Sequence, residues 1–337
     1  MRDFASSHIG AASSHNRFVI PLAMFNYGSD NRRVNIMRNS LVTAVLLLAA
    51  NGALAHDAID CSSCAEWNKP VAPFSIYGNS YYVGTGGLSS VLITSPQGHV
   101  LIDGALPQSA PLIRKNIEAL GFKMQDVKLI LNSHAHFDHA GGIAALQKAS
   151  GATVAHTAHG AQVLRDGAPG KDDPQYNPKD RTTMPKVARV QEVKDGEILA
   201  VGPLRVTAHT TPGHTPGGIT WTWQSCEAGK CLDVVYADSL TMISADGFYF
   251  SGGAGHPDIS ASVRNTLAKV AGLKCDIVIA AHPSATDAFA KAAGKTAQVN
   301  PFIDPEGCRK LAAGAAKKFE ERLQREREEK GAARAKG

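Results

Sequence analysis

The chain has 337 residues, 44% of them hydrophobic and 19% charged, which excludes a disordered or fibrous polymer and suffices for one large domain or two small ones. Its formal charge is +5, and residues 1–55 carry five basic and two acidic side chains, so about +2 remains for the rest. That balance excludes a polyanion partner, and no nucleic-acid function is expected.

Residues 37–55, MRNSLVTAVLLLAANGALA, open with Arg38, continue through an apolar run from Leu41 to Ala50, and end on Ala53-Leu54-Ala55. This is the pattern of a secretory signal peptide cut before His56. The apolar run falls well short of the ~20 residues that span a bilayer, so cleavage is expected rather than anchoring, with a periplasmic product. Residues 1–36 are polar and patternless, and read as a non-native upstream extension, with Met37 as the true start. The Arg32-Arg33 pair is a weak twin-arginine signal.

Beyond the signal, SIYG, SYYVGT, SVLITS and HVLIDG (residues 75–104) are short β-branched and aromatic runs divided by Gly, Pro and Ser, the pattern of strands joined by tight turns. Ile113, Ile117 and Leu120 then mark a helix over residues 109–120, ended by Gly121. DVKLILNS reads as a buried strand, followed by a histidine-rich loop and a helix from Ile143 to Lys148. ATVAH and HGAQVLRD repeat the alternation of strand and helix. Residues 167–186, rich in Pro, Asp and Lys, form a long loop of the kind that borders active sites. A second strand series follows in ARVQEV, GEILAVG, LRVTAHT, GITWTWQ and LDVVYAD, then a helix over 260–271, the strand CDIVIAA, and a closing helix from Arg309 to about residue 330. Leu311, Ala315, Phe319 and Leu323 give that helix one apolar stripe, which docks on the body rather than recruiting a partner, so a monomer is expected. The order predicts residues 56–337 to be one α/β domain of two similar halves, two sheets face to face with helices outside.

Six cysteines in an exported chain point to disulfides. Cys226 and Cys231 flank the turn EAGK between two apolar runs, a plausible hairpin staple. A bridge between Cys275, at the start of CDIVIAAH, and Cys308 would pin the last helix to the body. Cys61 and Cys64 form a lone C-x-x-C without the second pair a zinc ribbon requires.

The chemistry concentrates in LILNSHAHFDHAGGI, residues 129–143, where His134, His136, Asp138 and His139 fall within six positions. In an extended segment alternate side chains share a side, so His134, His136 and Asp138 converge while His139 points elsewhere. One loop can thus serve two neighbouring metal positions, and imidazole with a carboxylate suits zinc. Two metals demand further ligands, and His214 in TTPGHTPGG and His282 in IAAHPS stand at later strand ends. His99, His156, His159, His209 and His256 read as ordinary surface or core histidines.

His134-x-His136-x-Asp138-His139, the glycine-flanked His214, the segment Ala237-Asp238-Ser239-Leu240 and His282 occur in an order that resembles the metallo-β-lactamase superfamily, over about Trp67 to the C-terminus. The resemblance implies an αββα sandwich and two zinc ions per chain, one on His134, His136 and His214 and the other on Asp138, His139 and His282. Ser239 stands where another subclass has a cysteine ligand, and PGHTPGGITWTW and YADSLT are similar to the third subclass of class B β-lactamases. It implies a zinc-dependent β-lactamase opening penicillins, cephalosporins and carbapenems, and so conferring antibiotic resistance. Zinc would yield hydroxide from a shared water near neutral pH, with Asp138 as a ligand that also orients the nucleophile. Ser239 and Thr241 would bind the substrate carboxylate. Of the neighbours in sequence, Ser239 is expected to face the metals and Asp238 to support the surrounding loops. Some relatives pair an N-terminal cysteine with one in YVGTGGL, where this chain has Gly86; Cys61 and Cys64 therefore either pair with each other or stay free. A lactonase of the same superfamily is the enzymatic alternative, and a non-catalytic periplasmic zinc-binding protein the alternative from another class.

Overall fold

A computed structural model describes residues 58–179, 183–253 and 255–336; the signal peptide, the Met37 start and the upstream extension lie outside them. The strands β1 (Phe74–Tyr77), β2 (Ser80–Tyr82), β3 (Val91–Ile93), β4 (His99–Ile102), β5 (Val127–Leu131), β6 (Thr153–Thr157) and β7 (Val190–Val193) form one sheet in chain order. It is antiparallel from β1 to β4 and parallel from β4 to β7. The second sheet holds β8 (Ile198–Val201), β9 (Leu204–Thr210), β10 (Ile219–Glu227) and β11 (Lys230–Ala237). After the separate hairpin β12 (Ser251–Gly253) and β13 (His256–Asp258), β14 (Ile277–Ala280) closes that sheet parallel to β11.

Period-two alternation divides each inner strand between two cores. Along β4, Val100 and Ile102 join the layer between the sheets, with Trp221, Val206 and Tyr236 from the second, while Leu101 faces the helices outside. Those helices are α2 (Ala110–Ala119), which supplies Ile113 and Ile117, α4 (Ile143–Ser150), which supplies Ile143 and Leu146, and α5 (Ala158–Asp166), which supplies Leu164; α1 (Cys64–Trp67) and α3 (Phe137–Ala140) are single turns. Strands buried on both faces read as continuous apolar runs, as LILN and IVIA do. Trp221 is fully buried, and its indole N–H donates to the Asn132 carbonyl at 3.0 Å, so its area is buried without stranding a polar atom.

Over the second sheet lie α6 (Ser260–Ala271), α7 (Ala288–Ala293) and α8 (Gly307–Lys336). Phe319 and Leu323 of the expected stripe pack with Val263, Leu267 and Phe250. Three disulfides form, Cys226–Cys231, Cys275–Cys308 and Cys61–Cys64. The first joins directly opposed residues of β10 and β11, and the second ties α8 to the start of β14.

The αββα sandwich is the expected one, with two differences. ARVQEV does not open the second sheet; as β7 it pairs parallel with β6 and closes the first, because the crossover through α5 returns the chain to that edge. The short α1, α7 and the β12–β13 hairpin carry no periodic pattern that announces them.

Candidate metal centre

The strands β4, β5, β9, β11 and β14 all deliver their carboxyl ends to one rim, since β4 and β5 run parallel, as do β11 and β14, and β9 is separated from β11 by one antiparallel strand. Backbone hydrogen bonds join the sheets there: Ile219 N–H donates to Ser133 O at 2.8 Å and Ser89 N–H to Ala281 O at 2.9 Å. His134 and His136 follow β5, His214 follows β9, Asp238 follows β11, and His282 follows β14.

The histidine motif is extended only as far as His136, whose φ of −88° and ψ of 156° lead into α3. Asp138 and His139 lie on that helical turn, so alternation along an extended loop does not place them; the turn swings both toward the same side as His134. A side chain at Gly141 would strike the Phe137 carbonyl and one at Gly142 the Gly104 carbonyl, which is why a glycine pair ends the motif.

Two donor groups result. One ligand atom from each of His134, His136 and His214 lies within 4.8 Å of the others, and so do those of His134, Asp138 and His139. His282 Nε2 completes the second group, 3.2 Å from His139 Nε2 and 3.5 Å from Asp138 Oδ2. Four of the five imidazoles are held by their other nitrogen. His134 Nδ1 donates to Asp238 Oδ1 at 2.7 Å, His136 Nε2 to Asp173 Oδ2 at 3.0 Å, His214 Nδ1 to Thr241 O at 2.7 Å, and His282 Nδ1 to Gly87 O at 3.0 Å. Each such bond fixes the tautomer and leaves a lone pair on the nitrogen that faces the group, the arrangement found around metal-bound histidine. His134 Nε2 is buried without any protein partner, a costly state for a polar atom that a cation would relieve. These residues fit a metal centre.

Charges follow the same logic. Burial first, reinforced by the neighbouring His139, His214 and His136, drives His134 well below the usual histidine range, and burial with His136 pushes His214 to about 3; both are neutral and able to ligate. Burial opposes the Asp138 charge, yet His139 and His282 outweigh it and hold the carboxyl well below its ordinary value.

Three supports escaped sequence reading. Asp103 sits at φ 62° and is fully buried, a strained position for a residue with a Cβ. Its carboxylate accepts from Asn132 Nδ2 and Ser133 N, at 2.8 and 2.7 Å, and from Ser133 Oγ and Tyr236 OH, at 2.7 and 2.8 Å, fixing the strand just before His134. Asp173 and Gln175 come from the long loop after α5; Gln175 Nε2 lies 3.3 Å from His214 Nε2. A loop carboxylate offers no spacing signal, and only the loop's length hinted at it.

Over the donors opens a cleft of about 390 Å³, walled by Trp67, Phe137, Gln175, Met184, Thr241 and Ile243. Asp238 supports His134 directly. Ser239 lines a neighbouring cleft instead, together with His282, while Thr241 borders both and Ile243 is 57% exposed between them. His99, His156, His159, His209 and His256 stay outside both donor groups.

The Metallo-beta-lactamase superfamily profile matches residues 83–282. Among solved structures, the Rm3 metallo-beta-lactamase is 49% identical with a TM-score of 0.77, over 80% of this chain and 100% of that one. MEM-A1, a subclass B3 metallo-beta-lactamase isolated from a soil metagenome library, is 50% identical with a TM-score of 0.75, over 78% and 99%. BJP-1, a subclass B3 enzyme of Bradyrhizobium japonicum, is 33% identical with a TM-score of 0.71, over 78% and 97%. A curated hydroxyacylglutathione hydrolase of Bradyrhizobium sp. (strain ORS 278) is 27% identical over 132 residues, 39% of this chain, and the match spans only 41% of that hydrolase. By the profile match and by these structural likenesses, the chain belongs to the metallo-β-lactamase superfamily.

Proposed function

We propose that the protein is an exported β-lactamase that uses two zinc ions, one on His134, His136 and His214 and the other on Asp138, His139 and His282. The observation that carries this reading is the pair of donor groups around His134 and Asp138, with four imidazoles each locked by a second hydrogen bond. Such a set suits zinc, which when bound supplies Lewis acidity toward the lactam carbonyl and activates water near neutral pH.

The chain's own residues do the rest. Asp138, kept ionised, accepts a hydrogen bond from the attacking water and aims its lone pair at the carbonyl carbon. Trp67, Phe137, Met184 and Ile243 exclude bulk solvent from a cleft sized for a bicyclic lactam. Gln175 and Thr241 offer polar contacts to the substrate's amide and carboxylate, while Ser239 lines the adjoining cleft that Thr241 also borders. Three disulfides suit the oxidising periplasm, and among the described residues no helix is long and apolar enough to cross a membrane.

The metallo-beta-lactamase structures, 49–50% identical over nearly their whole length, favour a lactamase over the hydrolysis named for the curated relatives, which match over less than half of theirs. Asp238 Oδ1 is committed to His134 Nδ1 and to the Ser239 N–H, so it supports one candidate ligand. Metal analysis of purified protein should give two zinc ions per chain. A single zinc at full activity would contradict the assignment.

A further inference from the structure

Beside the reaction cleft, across Thr241, Ile243 and His282, lies a second cleft of about 450 Å³. One wall is the segment after β11; the other is a single face of α8, where Lys310, Gly314, Lys318, Arg322 and Arg325 recur at helical spacing. The floor is small and apolar, built from Ala280, Ala281 and Ala285, and a Cβ at Gly314 would meet no atom within 4 Å, so the helix leaves open space there.

Four cations thus face one cleft whose only carboxylate among the described residues is Asp238, already engaged with His134. Two of the four are spoken for: Lys310 pairs with Asp304 at 2.8 Å, and Arg322 with Glu326 at 2.8 Å. Among the described residues, Lys318 and Arg325 pair with no carboxylate. Unneutralised cations around an apolar concavity attract an organic anion, and the shared border at His282 places that anion within reach of a molecule reacting next door.

We propose that this cleft is an anion-accepting extension of the reaction site, which takes the acidic substituent of a substrate carrying a second negative charge. The proposal rests on the β-lactam reading above. It makes Lys318 and Arg325 specificity residues that touch substrate without touching the metal ligands, and it predicts a preference for dianionic over monoanionic lactams that otherwise match.

Steady-state kinetics on the zinc-loaded chain tests it with two substrate pairs. Cefotaxime and ceftriaxone share an acyl arm and differ in a neutral or acidic group at the other end of the bicycle; benzylpenicillin and carbenicillin differ by one carboxylate on the acyl arm. In at least one pair, Lys318→Ala/Arg325→Ala should lower kcat/KM for the dianionic member roughly three- to tenfold, through KM, the range expected for two partly exposed charge contacts. The monoanionic partner should be unchanged, which also reports that the variant is folded. Lys318→Arg/Arg325→Lys should retain the preference, and Gly314→Leu, which fills the cleft without altering charge, should lose it. Identical selectivity in wild type and the double alanine variant for both pairs overturns the proposal. If the wild type opens none of the four lactams, the β-lactam reading fails first, and the subsite with it.

Discussion

Replacing Asp238 by alanine removes the acceptor that holds His134, the ligand common to both donor groups. His134 Nδ1 donates to it at 2.7 Å in a site where both side chains are essentially unexposed, and the Ser239 N–H donates to the same oxygen at 2.8 Å, so the alanine variant leaves two N–H groups without that partner, at a folding cost of about 1–3 kcal/mol for each that stays unpaired. Loss of such a supporting partner weakens metal binding roughly ten- to a hundredfold, which at 1.4 kcal/mol per decade is about 1.4–2.8 kcal/mol. Metal-free stability should fall less, because the substitution also removes Asp238 Oδ2, a buried oxygen with no protein partner. Competition with a chromophoric chelator gives zinc affinity, and thermal melts of the metal-free protein give stability. Asp238→Asn, which keeps an acceptor oxygen for the ring, should lose less affinity than Asp238→Ala. An alanine variant that binds zinc within about twofold of wild type would refute the coupling drawn from these distances.

Asp138→Asn keeps size and removes charge, and should lower turnover by orders of magnitude with loss of zinc from the second group; near-normal rate with two zinc ions bound would contradict its role. Breaking Cys275–Cys308, whose cysteines are 33 residues apart, should cost about 3–4 kcal/mol, read as a lower Tm in Cys275→Ser/Cys308→Ser; an unchanged Tm would show that α8 docks without it. Glu326 accepts from the Ser251 hydroxyl at 2.6 Å, from the Ser251 and Phe250 N–H groups at 2.9 Å and from Arg322 Nε at 2.8 Å. Burial opposes its charge, but these donors hold its carboxyl below the usual range. Its charge therefore contributes stability above the unfolded-chain value of ~4.3, a contribution lost as pH falls through the lower folded value. Glu326→Gln should be less stable than wild type at pH 7, with the gap closing in acid, and a gap independent of pH would contradict this.

The succession of strands and helices and the two-sheet sandwich were legible because the strands are short, bounded by turn residues, and alternate with helices long enough to show period 3.6. The placement of β7 was not, since sheet membership depends on which edge a crossover reaches, a property of α5 and the loop rather than of ARVQEV. Within the site, His134, His136, Asp138 and His139 announced themselves by spacing, and His214 and His282 by standing at strand ends. The geometry of Asp138 and His139 was misread, because a four-residue helical turn is too short to leave a periodic trace. Asp103, Asp173 and the Thr241 carbonyl were invisible: a supporting residue is defined by what it touches across the fold, and a backbone carbonyl has no sequence signature at all.

On the proposed function, these donors hold zinc for opening a β-lactam ring. The most direct test gives one purified, zinc-loaded sample a penicillin, a cephalosporin, a carbapenem, a homoserine lactone and a hydroxyacylglutathione thioester, before and after chelation. The β-lactams should be opened faster than the lactone or thioester, chelation should abolish this, and added zinc should restore it. Efficient lactone or thioester hydrolysis without β-lactam turnover, or β-lactam turnover that survives complete metal removal, would contradict the proposed function.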